Sequence, residues 1–313
     1  MRRLTWALLT VIAAPMVVCS GGDDEPDEFP TAEPNPQFEN QNSRSGDDAY
    51  NYLTDDTYSR LYIEIDYMED DDPSDGVDYG PSQEAIDALL VALGRFCRKD
   101  TIIYDGEATD VIPIATAADG SLQENYTYDD VNDLEIEYRD RYHDGDTAVM
   151  YFLYVNGRYI TDEGDPTTVV GFAHHGSSMA VFKGVVNSIR LEANRAFYEQ
   201  TVVIHEVGHL LGLVTTGIPA QADHVDNDDN AGRGVHCSNE ECLMFWQVNS
   251  IQFLETIING TERDFDQDCQ DDMAAAGGLD AGSSGRAGAT GSPAHPVNTD
   301  PHALDPNHPN VLF

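Results

Sequence analysis

Cationic side chains are scarce in this sequence of 313 residues: 16 Lys and Arg stand against 57 Asp and Glu, for a formal net charge of −41. Such a surface repels phosphate backbones and anionic headgroups, which excludes nucleic acid and electrostatic docking on membranes. Long apolar runs are also lacking. The nearly unbroken run over residues 4–18 falls short of the ~20 residues that a membrane span needs. No internal repeat is found, which sets repeat arrays aside. The acidic runs at 69–72 and 226–229 lack the ligand spacing of an EF-hand, so they read as solvated loops, with calcium binding by the second run as the alternative. With 41% hydrophobic residues, what remains is enough for one sizeable globular domain with flexible ends, or for two small ones.

The N-terminus reads as an export signal. Arg2 and Arg3 precede the apolar run, and Cys19 follows it, then Ser20-Gly21-Gly22 and an acidic, Pro-rich stretch. This resembles a bacterial lipoprotein, which implies lipidation at Cys19 and a lipid-anchored cell-envelope or extracellular location, with plain secretion as the alternative. Four cysteines remain, Cys97, Cys237, Cys242 and Cys269. An even number in an exported chain predicts two disulfides, with the pairing left open.

Residues 20–49 lack apolar periodicity and read as a disordered acidic tether; 274–313, rich in Gly, Ala, Ser and Pro, reads as a mostly disordered tail. The folded domain is expected over 50–273. Within it, 61–65, 101–104, 148–155 and 179–186 read as strands, the last as the sheet edge facing a cleft. Ser82 is placed to cap a helix bearing Ile86, Leu89, Leu90 and Leu93, and further helices are expected over 129–142, 188–213 and near 265–273. Arg195 and Glu199 are spaced as a helix-stabilising pair. His174 and His175 read as surface-loop residues, with a structural metal shared with Asp162 or Asp165 as the alternative.

The helix over 188–213 contains His205-Glu206-Val207-Gly208-His209. Histidines four apart share a helical face and can reach one Zn2+ ion, while the carboxylate between them can take a proton from a zinc-activated water. By average residue usage such a match arises by chance in about one in a hundred chains of this length. A catalytic zinc requires a third protein ligand and an open position. Gly212 stands where metzincins turn sharply under the metal, but Thr215 occupies the place of their third His. The next histidines, His224 and His236, both remain candidates.

The stretch His236-Cys237-Ser238-Asn239-Glu240-Glu241-Cys242-Leu243-Met244 resembles the archaemetzincin family, with 214–235 as an insertion. The resemblance implies His236 as third ligand, with His224 as the alternative, and Met244 as the Met-turn beneath the metal. It also implies a four-cysteine second zinc site. Cys237 and Cys242 match that site, but the later pair falls on Asp266 and Cys269, so disulfides are expected in its place.

These readings predict an α+β, metzincin-like fold: a mixed twisted sheet with backing helices, an active-site helix and a smaller irregular C-terminal subdomain. The expected function is a zinc-dependent endopeptidase with Glu206 as general base, a monomer acting on peptide or protein substrates. The alternatives are a non-catalytic zinc-containing surface-binding lipoprotein and a zinc hydrolase of a non-peptide amide. Membrane contact is expected only through a lipid on Cys19.

Overall fold

The computed structural model describes residues 44–69, 78–104, 106, 111–115, 121–161, 164–189, 194–227, 235–249, 263–279 and 297–299. The signal, Cys19, most of the tether, Asp162, the acidic run beyond Asn227 and most of the tail lie outside them.

The core forms around β5 (Thr147–Val155), whose residues from Ala148 onward are all buried. A strand covered on both faces takes a continuous apolar run rather than alternation, which is why this segment stands out in the sequence. It pairs in parallel with β1 (Arg60–Met68) on one side and β8 (Ser178–Phe182) on the other. Beyond β1 lies β2 (Thr101–Tyr104), then the short strand β9 (Val297–Thr299); β3 (Val111–Ile112) pairs with the far end of β1, and β4 (Asn125–Tyr126) with β6 (Arg158–Tyr159) forms a separate pair.

Two expectations are corrected at the other end of the sheet. The strand expected over 179–186 ends at Phe182, and the chain turns into the short helix Lys183–Asn187. At Gly184 a Cβ would stand 2.6 Å from the carbonyl oxygens of Asn156 and Gly157, so the backbone turns against the end of β5 as only glycine permits. The edge strand is instead β7 (Gly171–His174), antiparallel to β8. Its hairpin turn has His175 at φ 53, a left-handed conformation that the usual Asn-Gly or Asp-Gly signal would have advertised and His-His does not.

In chain order the helices are α1 (Ala49–Leu53), α2 (Gln83–Phe96), α3 (Tyr128–Tyr138), α4 (Lys183–Asn187), α5 (Arg195–Leu210) and α6 (Gln267–Ala275). Among the described residues no helix is long and apolar enough to cross a membrane. Ser82 caps α2 through the N–H of Ala85, and α2 packs on α5. A buried carboxylate ties this pair together: Glu199 accepts from the Ser82 N–H and from the Lys183 ammonium, each at 2.7 Å. The expected Arg195–Glu199 pair is thereby replaced, with Arg195 Nε donating to the Ile189 carbonyl. Burial makes the difference, since the helix turns Glu199 inward, where only groups already in the interior can reach it.

Candidate metal centre

Helix α5 buries His205, Glu206 and His209. The helix ends at Leu210, and Gly212, at φ 81, reverses the chain at a point where a Cβ would lie 2.7 Å from that of Ala49. Val214 and Thr215 follow at φ 52 and 67, and the Thr216 hydroxyl donates to the His209 and Leu213 carbonyls. Thr215, where the compact motif would carry a histidine, thus belongs to the turn.

The chain returns to the helix through 224–226, which pairs with 236–238: Asp226 donates to the His236 carbonyl at 2.8 Å and Ser238 to that of His224 at 2.7 Å. This pairing brings His236 to the two helical histidines. Its ring stacks on His205 with centroids 5.3 Å apart and meets His209 edge-on at 5.0 Å. One nitrogen from each of the three lies within 4.8 Å of the others.

Proton positions follow from the partners. His205 Nδ1 lies 2.7 Å from the Leu243 carbonyl, a pure acceptor, so Nδ1 carries the hydrogen and Nε2 presents its lone pair. That Nε2 is buried without a hydrogen-bond partner among the described residues. Burial, then the charge of His236, pulls the His205 ring down to about 3, and burial holds His209 well below the usual range. Glu206 accepts from the Ala173 N–H of β7 through Oε2 at 2.7 Å, while Oε1 is buried without a partner. Burial pushes its carboxyl up to about 8. Three imidazoles, one nitrogen of each within 4.8 Å of the others, form the donor set that a divalent cation satisfies. The residues fit zinc.

Met244 lies beneath the helix. A Cβ on Gly208, between the two histidines, would fall 2.4 Å from Met244 Sδ and 2.9 Å from Phe265 Cε1. Gly208→Ala is therefore expected to destabilise the fold, since overpacking costs about 1–3 kcal/mol and exceeds the ~1 kcal/mol that alanine contributes to a helix. Denaturant unfolding checks this; a raised midpoint would show that Met244 is not wedged there.

The expected disulfides are not formed: all four described cysteines are free. Cys97 lies at the C-terminal end of α2, while Cys237 and Cys269 gather with His224 and Asp266, and Cys242 lies beside Cys269. Cys242 and Cys269 sulfurs stand 3.7 Å apart, well beyond the ~2.05 Å of a disulfide. Cys237 and Cys269 face an imidazole instead. His224 Nδ1 lies 3.5 Å from Cys237 Sγ and 3.8 Å from Cys269 Sγ. Its Nε2 meets Asp272 Oδ2 at 2.8 Å, so the carboxylate takes the ring hydrogen and leaves Nδ1 as the donor toward sulfur. Asp266 caps α6 through the Cys269 N–H and accepts from Asn239. Hydrogen bonds from Cys242 and Cys269 lower the Cys237 thiol, favouring its thiolate. His224 belongs to this cluster rather than to the three-histidine one, so the structure separates the two candidates for third ligand.

His174 and His175, expected at the surface, are buried beside Glu135 of α3, whereas Asp165 is exposed. Sequence reasoning missed this because Glu135, amid Asp and Glu residues, carries no mark of burial.

No family model matches the chain, and no curated protein matches it. A solved structure similar to it is archaemetzincin from Methanopyrus kandleri, with 11% identity, 71% of this chain and 96% of that chain covered, and a TM-score of 0.41.

Proposed function

We propose that the chain is a zinc-dependent endopeptidase of metzincin type, with His205, His209 and His236 as metal ligands and Glu206 as general base. The convergence of three imidazoles, with Glu206 Oε1 on the same helix left without a partner, carries this reading. A zinc ion held there supplies Lewis acidity to a carbonyl and acidifies a water. Glu206, anchored through Oε2 to Ala173, offers Oε1 to take that proton and return it to the leaving amine. A purely structural site needs no carboxylate in this position, which disfavours the surface-binding alternative. Strand β7 is the sheet edge and passes Glu206, so an extended main chain can lie along it, which favours a peptide over a small amide. His224, Cys237, Asp266 and Cys269, whose donor atoms lie within 4.8 Å of one another, provide the set of a second, structural zinc, with Asp266 at the position that the family pattern gives to a cysteine. Export, anchoring at Cys19 and action as a monomer belong to the same proposal, and rest on the sequence.

The purified protein is expected to cleave an unfolded protein substrate, to lose activity to a chelator and to regain it with zinc but not with magnesium. Cleavage that persists after complete metal removal, or none in the zinc-loaded protein, would refute this reading.

A further inference from the structure

A third cluster of ligand atoms lies behind the edge strand, built by different elements from either site above. Glu135 comes from the last turn of α3, His174 from the end of β7, and His175 from the turn that follows. Glu135 is fully buried, His174 is 4% exposed and His175 is 7% exposed. Glu135 Oε2 stands 3.5 Å from His174 Nε2 and 3.3 Å from His175 Nδ1, and one donor atom from each residue lies within 4.8 Å of the others.

The two carboxylate oxygens are differently engaged. Oε1 accepts from Arg139 Nη1 at 2.7 Å and from the Ser178 hydroxyl at 2.5 Å. Oε2 is thereby aimed at the imidazoles. Arg139 also donates to the Ser177 and Ser178 hydroxyls, so it is fixed on the far side of the carboxylate, as an outer partner that orients a ligating oxygen would be.

His174 decides between packing and ligation. Its ring meets Tyr128 edge-on at 5.9 Å and Phe172 edge-on at 5.6 Å, packing that a phenylalanine would reproduce on those two sides. Both of its ring nitrogens are buried without a hydrogen-bond partner among the described residues. A ring placed only for packing would not leave both of its polar atoms buried without a hydrogen bond. A cation at Nε2 accounts for one of them. Without a metal, His175 Nδ1 donates to Glu135 Oε2 at 3.3 Å; its Nε2 lies 3.5 Å from the Tyr128 hydroxyl, so the ring hydrogen has a second partner there and a cation can take Nδ1. The strained φ of 53 at His175 is the backbone conformation with which the turn places this nitrogen beside its neighbour's.

We infer that Glu135, His174 and His175 form a further metal site, for a divalent first-row transition ion of zinc type. Two imidazoles and one carboxylate are borderline donors, unlike the six or more oxygens that calcium collects. The ion would clamp the β7–β8 turn to α3 and so steady the edge strand whose Ala173 N–H holds Glu206. Binding here does not depend on the proposed protease activity.

The test uses the full-length protein, stripped with chelator, reloaded with zinc and crystallised. Anomalous diffraction at the zinc edge is expected to show a peak among His174 Nε2, His175 Nδ1 and Glu135 Oε2, in addition to peaks at the other two centres. His174→Phe, which keeps the ring and its packing, should lose one equivalent of zinc and that peak alone. Should this variant fail to fold, His175→Gln supplies the same comparison. Absence of the peak in the parent protein while the other centres are filled, or an unchanged zinc count in the variant, would overturn the site.

Discussion

Glu206→Gln is expected to lower kcat/KM by about 10²–10⁴-fold while leaving the zinc content unchanged. The amide is nearly isosteric with the acid, and its oxygen can still accept from the Ala173 N–H that now holds Oε2. The three imidazoles therefore keep their positions, and His205 keeps its bond to the Leu243 carbonyl. What disappears is the group at Oε1 able to take a proton and give it back. Metal analysis beside steady-state kinetics separates the outcomes. A variant as fast as the parent would remove Glu206 from the mechanism; one that loses both zinc and activity would reassign it to holding the site together.

The second large effect distinguishes two histidines that the sequence left as rivals. His236→Ala is expected to lower zinc affinity at the three-histidine centre by orders of magnitude and to abolish activity, because α5 alone supplies only two ligands. His224→Ala should instead empty the thiolate centre. Cobalt substitution reports on each separately, since only the thiolate centre gives intense sulfur-to-cobalt charge-transfer absorption. His236→Ala should keep that absorption and lose catalysis, while His224→Ala should lose the absorption and destabilise the fold. Because 224–226 pairs with 236–238, some loss of activity is expected in His224→Ala as well. Thiolate absorption lost in His236→Ala and retained in His224→Ala would reverse the assignment.

His224 stands beside the acidic run that reads as a solvated loop, yet it is buried. Its neighbours are polar and its stretch has almost no apolar anchor, so composition pointed to solvent. The anchors are a hydrogen bond to Asp272, 48 residues away, and a two-residue bridge to 236–238. Neither leaves a trace in local composition. The disulfide expectation failed for a related reason. Counting cysteines says how many could pair, but Cys97 lies at the end of α2, Cys237 and Cys269 face the His224 imidazole, and Cys242 meets Cys269 at 3.7 Å without bonding to it.

By itself the sequence determined what depends on near neighbours along the chain. Histidines at i and i+4 must share a helical face, Ser82 can cap only the helix that follows it, and an unbroken apolar run such as 148–155, bounded by turn residues, reads as a strand covered on both faces. Tertiary structure decided what depends on distant segments meeting: that His236 rather than His224 joins the helical pair, that β7 rather than β8 forms the edge beside Glu206, and that Glu135 faces His174 and His175. Helical and strand periodicity specify which side of an element is apolar. They do not specify which polar groups from other elements will be enclosed with it. That is settled when the core closes, because each enclosed donor or acceptor must then find its partner among the groups that happen to be inside.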